Sequence, residues 1–198
     1  MESRFSAVAS SFHRQLFGFL GLALLAGCSV GVGEGQASGE LNAPACGLSG
    51  PFDLAPTFFV ADPIESQMVI RIQTSGDFDF LSDGITINIS DVPALAERLG
   101  EPIELTGEHV ALVTFNLYAN ASCPLNRDDV PVNYLGVGGT VTFFSIYSVE
   151  LNPDELLISA RFDDVVFVDP ASPEERNARM SGDFDFLFNR GRPAQRFP

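Results

Sequence analysis

Lysine and tryptophan are absent from the 198 residues, and histidine and tyrosine are scarce, with two and three copies. Each shortage removes a class of chemistry. Without Lys there is neither a Schiff-base nucleophile nor the lysine of a phosphate-binding P-loop. His13 lies in an N-terminal stretch that reads as a removable signal, which leaves His109. A single His excludes the usual catalytic zinc sets, which take two or three from one chain. No Gly-x-Ser-x-Gly turn is present to hand a serine to His109, which is expected to open a strand at a sheet edge or on the surface. Sugar sites favour Trp and Tyr faces, so their shortage weighs against carbohydrate binding.

Positive charge is short as well. Against 26 acids stand 11 Arg, for a formal net charge of −15. Such a body is expected to avoid nucleic acid, whose phosphates it repels, and to gain nothing electrostatically from an anionic lipid surface. What the chain has in plenty is Phe, with 18 copies, many at alternating positions.

Residues 1–27 have the parts of an export signal. Arg4, His13 and Arg14 make a weakly basic start, and Leu16 to Ala26 (LFGFLGLALLA) an apolar core. Eleven helical residues reach about 16 Å, well short of the ~30 Å hydrocarbon layer, so a spanning helix is not expected. Leu25-Ala26-Gly27-Cys28 follows at once. This tetrapeptide resembles the lipobox of bacterial lipoproteins, a likeness confined to residues 1–28. The resemblance implies recognition of Leu25, Ala26 and Gly27 by signal peptidase and cleavage before Cys28. It also implies a diacylglyceryl group on the Cys28 thiol and an N-acyl chain on its amine. At ~0.8 kcal/mol per buried CH₂, two or three acyl chains hold a protein on a bilayer durably. Ser29 stands where relatives kept at the inner membrane carry Asp, which implies the outer membrane of a Gram-negative cell. Cleavage would remove Glu2, Arg4 and Arg14, leaving 25 acids against nine Arg. Attachment to the membrane is then expected to come from the lipid.

With Cys28 in the lipobox, Cys46 and Cys123 remain as an even pair in an exported, oxidising setting. A disulfide is expected there, with two buried thiols as the alternative. Residues 28–42 are Gly- and Ser-rich and poor in apolar side chains, which predicts a tether. Their Gly31-Val32-Gly33-Glu34-Gly35 run lacks the flanking strand and helix of a nucleotide-binding loop.

From Phe58 the pattern has period two. Met68, Ile70 and Ile72 alternate with Val69, Arg71 and Gln73; Ile85, Ile87 and Ile89 alternate with Thr86, Asn88 and Ser90. Val113, Phe115 and Leu117 line one face of a further strand. Thr140–Val149 is apolar on both faces in places, as a central strand would be. Leu156–Asp163, Val165–Val168 and Phe184–Phe188 complete the set. One helix interrupts it: Asp91 to Gly100 offers an Asp cap, an early Pro93 and a closing Gly. The expected fold is all-β, an antiparallel β-sandwich over residues 43–188 with one short helix. A sandwich is preferred because a barrel should show more small residues and Gly at its corners. Residues 189–198 hold Arg190, Arg192 and Arg196 with two Pro, and read as a solvated basic tail, or as one touching acidic head groups.

One heptapeptide occurs twice, as Ser75-Gly76-Asp77-Phe78-Asp79-Phe80-Leu81 and Ser181-Gly182-Asp183-Phe184-Asp185-Phe186-Leu187. On a strand the Phe residues point inward and Asp77, Asp79, Asp183 and Asp185 outward. Ser-Gly would supply a bulge or strand entry. The acids then form either a plain solvated face or a calcium site, should the two copies converge. Asp83 lies close enough in sequence to join the first copy, and Asp128-Asp129 and Asp163-Asp164 offer further oxygens in loops. The chain thus reads as a lipid-anchored, non-catalytic cell-envelope protein with a structural, adhesive or protein-binding role, for which an envelope protein is the candidate partner. A calcium-dependent ligand-binding module is the alternative, and a hydrolase using paired carboxylates comes third.

Overall fold

The structure is a computed structural model and describes residues 32–76, 82–106, 111–123 and 132–188. Among these, ten strands form one antiparallel sheet. They are β1 (Val32–Ala43), β2 (Leu48–Leu54), β3 (Phe58–Ile64), β4 (Gln67–Gln73), β5 (Asp83–Ile89), β6 (Pro102–Glu104), β7 (Val113–Ala119), β8 (Asn133–Ser145), β9 (Leu157–Val168) and β10 (Asn177–Leu187). Their spatial order is β2-β1-β10-β9-β8-β7-β5-β4-β3, with β6 added beside the second half of β8.

The two ends of that order belong to one piece of chain. Leu54 and Phe58 are separated only by Ala55, Pro56 and Thr57, and burial alternates from Phe52 to Phe58 as it would along one strand. At Phe58–Phe59 two neighbours are buried in succession, so the strand changes phase there. Its first half pairs with β1 and its second with β4. A strand that bends from one edge to the other forces the sheet to curl.

The register measures the curl. Starting at Val60, cross-strand partners run through Arg71, Thr86, Asn116, Leu135, Val168, Asn177 and Asn42 to Ser49. One circuit therefore returns to the same strand 11 residues earlier, as a staggered barrel requires. None of these residues is buried, whereas Phe59, Ile72, Ile85, Leu117 and Tyr134, on the next turn of the path, all are. The inside is filled by Phe, Ile and Leu. Phe59 stacks on Phe186 with centroids 5.6 Å apart, and Phe115 meets Phe162 edge-on at 5.5 Å. The all-β expectation holds. The ladders draw one curled sheet, where a sandwich would have two.

Two boundaries differ from the sequence reading. The expected tether 28–42 is strand from Val32 onward, the whole of β1, paired on one side with β10 and on the other with β2. Its glycines are close-packing positions: a Cβ at Gly33 or Gly39 would strike the backbone of β10 at Asp185 or Arg179. Likewise, Asp163-Asp164 lies within β9 instead of a loop. Asp164 has a φ of 56°, and the β9–β10 register slips opposite it, between Met180 and Gly182. The Ser181 hydroxyl accepts the Asp164 N–H at 2.9 Å, so Ser-Gly of the second repeat does seat a bulge.

Between β5 and β6, helix α1 (Val92–Ala96) forms where expected. The Asp91 carboxylate accepts the Ala94 N–H at 3.0 Å, Pro93 sits in the first turn, and Gly100 closes the segment at φ 82°. Cys46 and Cys123 form the expected disulfide, with Cα atoms 5.3 Å apart. It ties the 3₁₀ turn Pro44–Cys46 after β1 to the turn after β7.

Two tyrosines, Tyr134 in the interior and Tyr118 half-buried on the outer face of β7, couple folding to alkaline pH. Burial raises the Tyr118 phenol above its ordinary 10.0, outweighing hydrogen bonds to Thr86 and Gln73 and the charge of Arg71. Tyr134 is raised above the same value, first by burial. A pKa raised in the folded state contributes stability that is fully present below the unfolded value and is lost as pH rises from there through the folded one. Stability should therefore hold to about pH 10 and fall as pH climbs past it. Urea midpoints taken through that range check this, and Tyr118→Phe should remove part of the fall.

Candidate functional site

The second copy of the repeat lies in β10, with its carboxylates on the outer face. Asp183 and Asp185 are exposed, while Phe184 and Phe186 are buried beneath. The sheet places Asp183 between Gln36 of β1 and Arg161 of β9, and Asp185 between Glu34 and Ser159. Gln36 Nε2 donates to Asp183 Oδ1 at 3.1 Å. Arg161 turns along its own strand and donates from Nε and Nη2 to Asp163 Oδ1 at 3.0 and 2.8 Å. This face is a mixed-charge surface of the kind that contributes little, pair by pair, to stability.

It also gives a cation little to hold. Among the described residues no three His, Cys, Asp or Glu side chains come together in a metal-binding arrangement. Asp77 and Asp79 lie outside the described residues, as do Leu25, Ala26, Gly27, Cys28, His109, Asp128 and Asp129 and the tail 189–198. The two repeat copies also begin in unlike places. Ser75-Gly76 forms a bend after β4, whereas Ser181-Gly182 sits mid-strand in β10. Millimolar calcium is expected to leave the thermal midpoint where EDTA leaves it; a concentration-dependent rise would reveal a site.

Asp83, a candidate to join the first copy, has another role. It is buried at the start of β5, and its Oδ1 accepts the N–H groups of Ala121 and Ser122 at 2.8 and 3.0 Å. Its Oδ2 accepts the Ser122 hydroxyl. The carboxylate thus pins the turn that carries Cys123. Asp83→Ala strands those donors and should cost about 2–3 kcal/mol in denaturant unfolding.

Sequence reasoning missed a second buried carboxylate, Asp169. It accepts from Ala171 N at 2.8 Å and from Arg176 Nη1 at 2.7 Å, closing the β9–β10 hairpin. Beside it, Tyr134 donates its hydroxyl to the Asn42 carbonyl at 3.0 Å, and Asn42 Nδ2 donates to the Glu175 carbonyl at 2.7 Å. The hint available was the Asp169-Pro170 turn before Arg176, a hairpin signal without a distinctive pattern. Both buried carboxylates are committed to turns.

A cleft of about 480 Å³ lies at the opposite end of the sheet from that hairpin. The β3–β4 turn, the first residues of α1 and Tyr147–Glu150 line it. Compared with known proteins, the chain matches no protein family, no curated protein and no solved structure.

Proposed function

We propose that this is a non-catalytic protein of the cell envelope, held on the membrane by acyl chains on Cys28, with a structural, adhesive or protein-binding role. The observation that carries the reading is where the sheet begins. Val32, only four residues beyond Cys28, is already paired with Leu187. Four residues reach at most about 14 Å, so an anchor at Cys28 would hold the curled sheet directly on the bilayer. A flattened, sandwich-like cross-section, with Phe59 of β3 lying over Phe186 of β10, belongs to the same proposal. For a protein partner, β3 is the candidate strand edge, since among the described residues its ladder is with β4 alone. The outer-membrane address rests on Ser29.

Fractionation tests the anchor. The full chain should travel with membranes and withstand high salt, and Cys28→Ser should release it to the soluble fraction. Equal membrane recovery of the two would overturn the reading.

A further inference from the structure

We propose that the end of the sheet where β1 begins and β10 ends lies in the lipid interface, dipping one row of side chains into the bilayer. The proposal rests on the reading of Cys28 as the anchor and adds an orientation to it.

The exposed apolar residues are gathered, not scattered. Val32, Leu187 and Leu157 are consecutive cross-strand partners on the outer face at this end, with Val32 79 % and Leu187 54 % exposed. Leu156 adjoins them through its carbonyl, which accepts the Phe188 N–H at 2.5 Å, and is 47 % exposed. Val149 and Leu151, also exposed, belong to the segment between Tyr147 and Leu156, whose Tyr147 ring packs on Phe188 at 5.1 Å. Gathered apolar side chains at one rim mark an interaction surface.

Where the chain leaves the sheet says what covers that rim. Because Val32 pairs with Leu187, the segment bearing Cys28 and the segment bearing Arg190, Arg192 and Arg196 depart from the same point. Net charge is an average over the body. Three of the nine Arg that remain after cleavage follow Leu187 in sequence, and Glu34, Asp185, Glu150, Asp154 and Glu155 stand around the rim, so the apolar row and not charge carries the contact. The next outward pair inward from the rim is Glu34 and Asp185. Two strand residues rise about 7 Å, so on β1 and β10 the acids begin one row above the apolar rim, while in the β8–β9 connection Glu150, Asp154 and Glu155 stand beside Val149, Leu151 and Leu156.

The chain contains no Trp, so one introduced Trp is a clean reporter. Leu187→Trp places it on the rim. Glu174→Trp places it in the β9–β10 turn at the far end. Full-length protein is reconstituted in vesicles of phosphatidylcholine and phosphatidylglycerol with brominated acyl chains, which quench only nearby indoles. Fluorescence of Leu187→Trp should fall about twofold and that of Glu174→Trp should not change. No quenching of Leu187→Trp, or equal quenching of both, would overturn the orientation. The mass of the Cys28 peptide separates the two claims. If Cys28 is acylated and Leu187→Trp stays bright, the docking is wrong and the anchor stands. If Cys28 is unmodified, the anchor reading falls, and the same quenching contrast still decides whether the rim meets lipid. Should Leu187→Trp lower the unfolding midpoint, Leu156→Trp is the second reporter.

Discussion

Truncating Phe186 to alanine is expected to cost about 3–5 kcal/mol of folding stability. The ring is buried, stacked on Phe59 at 5.6 Å and tilted against Phe184 at 6.2 Å. Phe59 belongs to β3, the last strand in the spatial order, and Phe186 to β10, the third. Their contact therefore crosses the interior instead of following a ladder. Its loss leaves a cavity where the curl closes on itself, and a loss of this size is a large part of the ~5–15 kcal/mol that a domain has. Phe144→Ala is the control, because Phe144 is exposed and should change stability by no more than about 0.5 kcal/mol. A double-mutant cycle with Phe59→Ala should recover a coupling of about 0.5–1.5 kcal/mol. Urea unfolding of the four proteins measures all of this. A Phe186→Ala cost near that of Phe144→Ala would mean the two strands do not meet inside.

The second large effect is the disulfide. Cys46 and Cys123 are 77 residues apart in sequence, and their loop takes in every strand from β2 to β7. Closing a loop of that length restricts the unfolded chain by about 4–5 kcal/mol in the chain-entropy account, and removal of native bridges typically costs 2–5. Replacing both cysteines with alanine should lower stability within that range, and a reductant acting on the unmutated chain should do the same. The turns on either side depend on the bridge and on Asp83, so Asp83→Ala and the cysteine replacement should not add independently. An unchanged midpoint under reducing conditions would show that the pair is not bridged in the folded protein.

Much of this architecture is legible in the residues, where the physics is local. Met68-Val69-Ile70 and Ile85-Thr86-Ile87 announce half-buried strands because side chains alternate across a sheet. Asp91 and Pro93 announce a helix start because they answer the unpaired N–H groups of a first turn. Cys46 and Cys123 announce their bridge as the even pair that remains once Cys28 is assigned to the lipobox-like stretch. What stayed hidden depends on neighbours far away in sequence. Gly33, Gly35 and Gly39 read as a flexible tether, yet β10 runs so close beside Gly33 and Gly39 that a side chain would collide. Those were the small residues whose scarcity argued against a barrel-like curl, set aside in a stretch taken to lie outside the domain. The phase change at Phe58–Phe59 sits in a run that alternates cleanly on either side, so nothing local says that one strand serves both edges. Ser-Gly of the repeat reads the same at residues 75 and 181, but one copy bends the chain and the other seats a bulge. The outward direction of Asp183 and Asp185 was readable from the alternation. The bond that Asp183 accepts from Gln36 was not, because β1 had no place in the sheet until the register put it there.

The intact mass of the protein extracted from membranes tests the account most directly. The account predicts a chain that starts at Cys28, lacks residues 1–27, and carries a diacylglyceryl group and an amide-linked acyl chain, with the Cys46–Cys123 bridge intact. A chain that begins at another residue, or a Cys28 with no added mass, would contradict it.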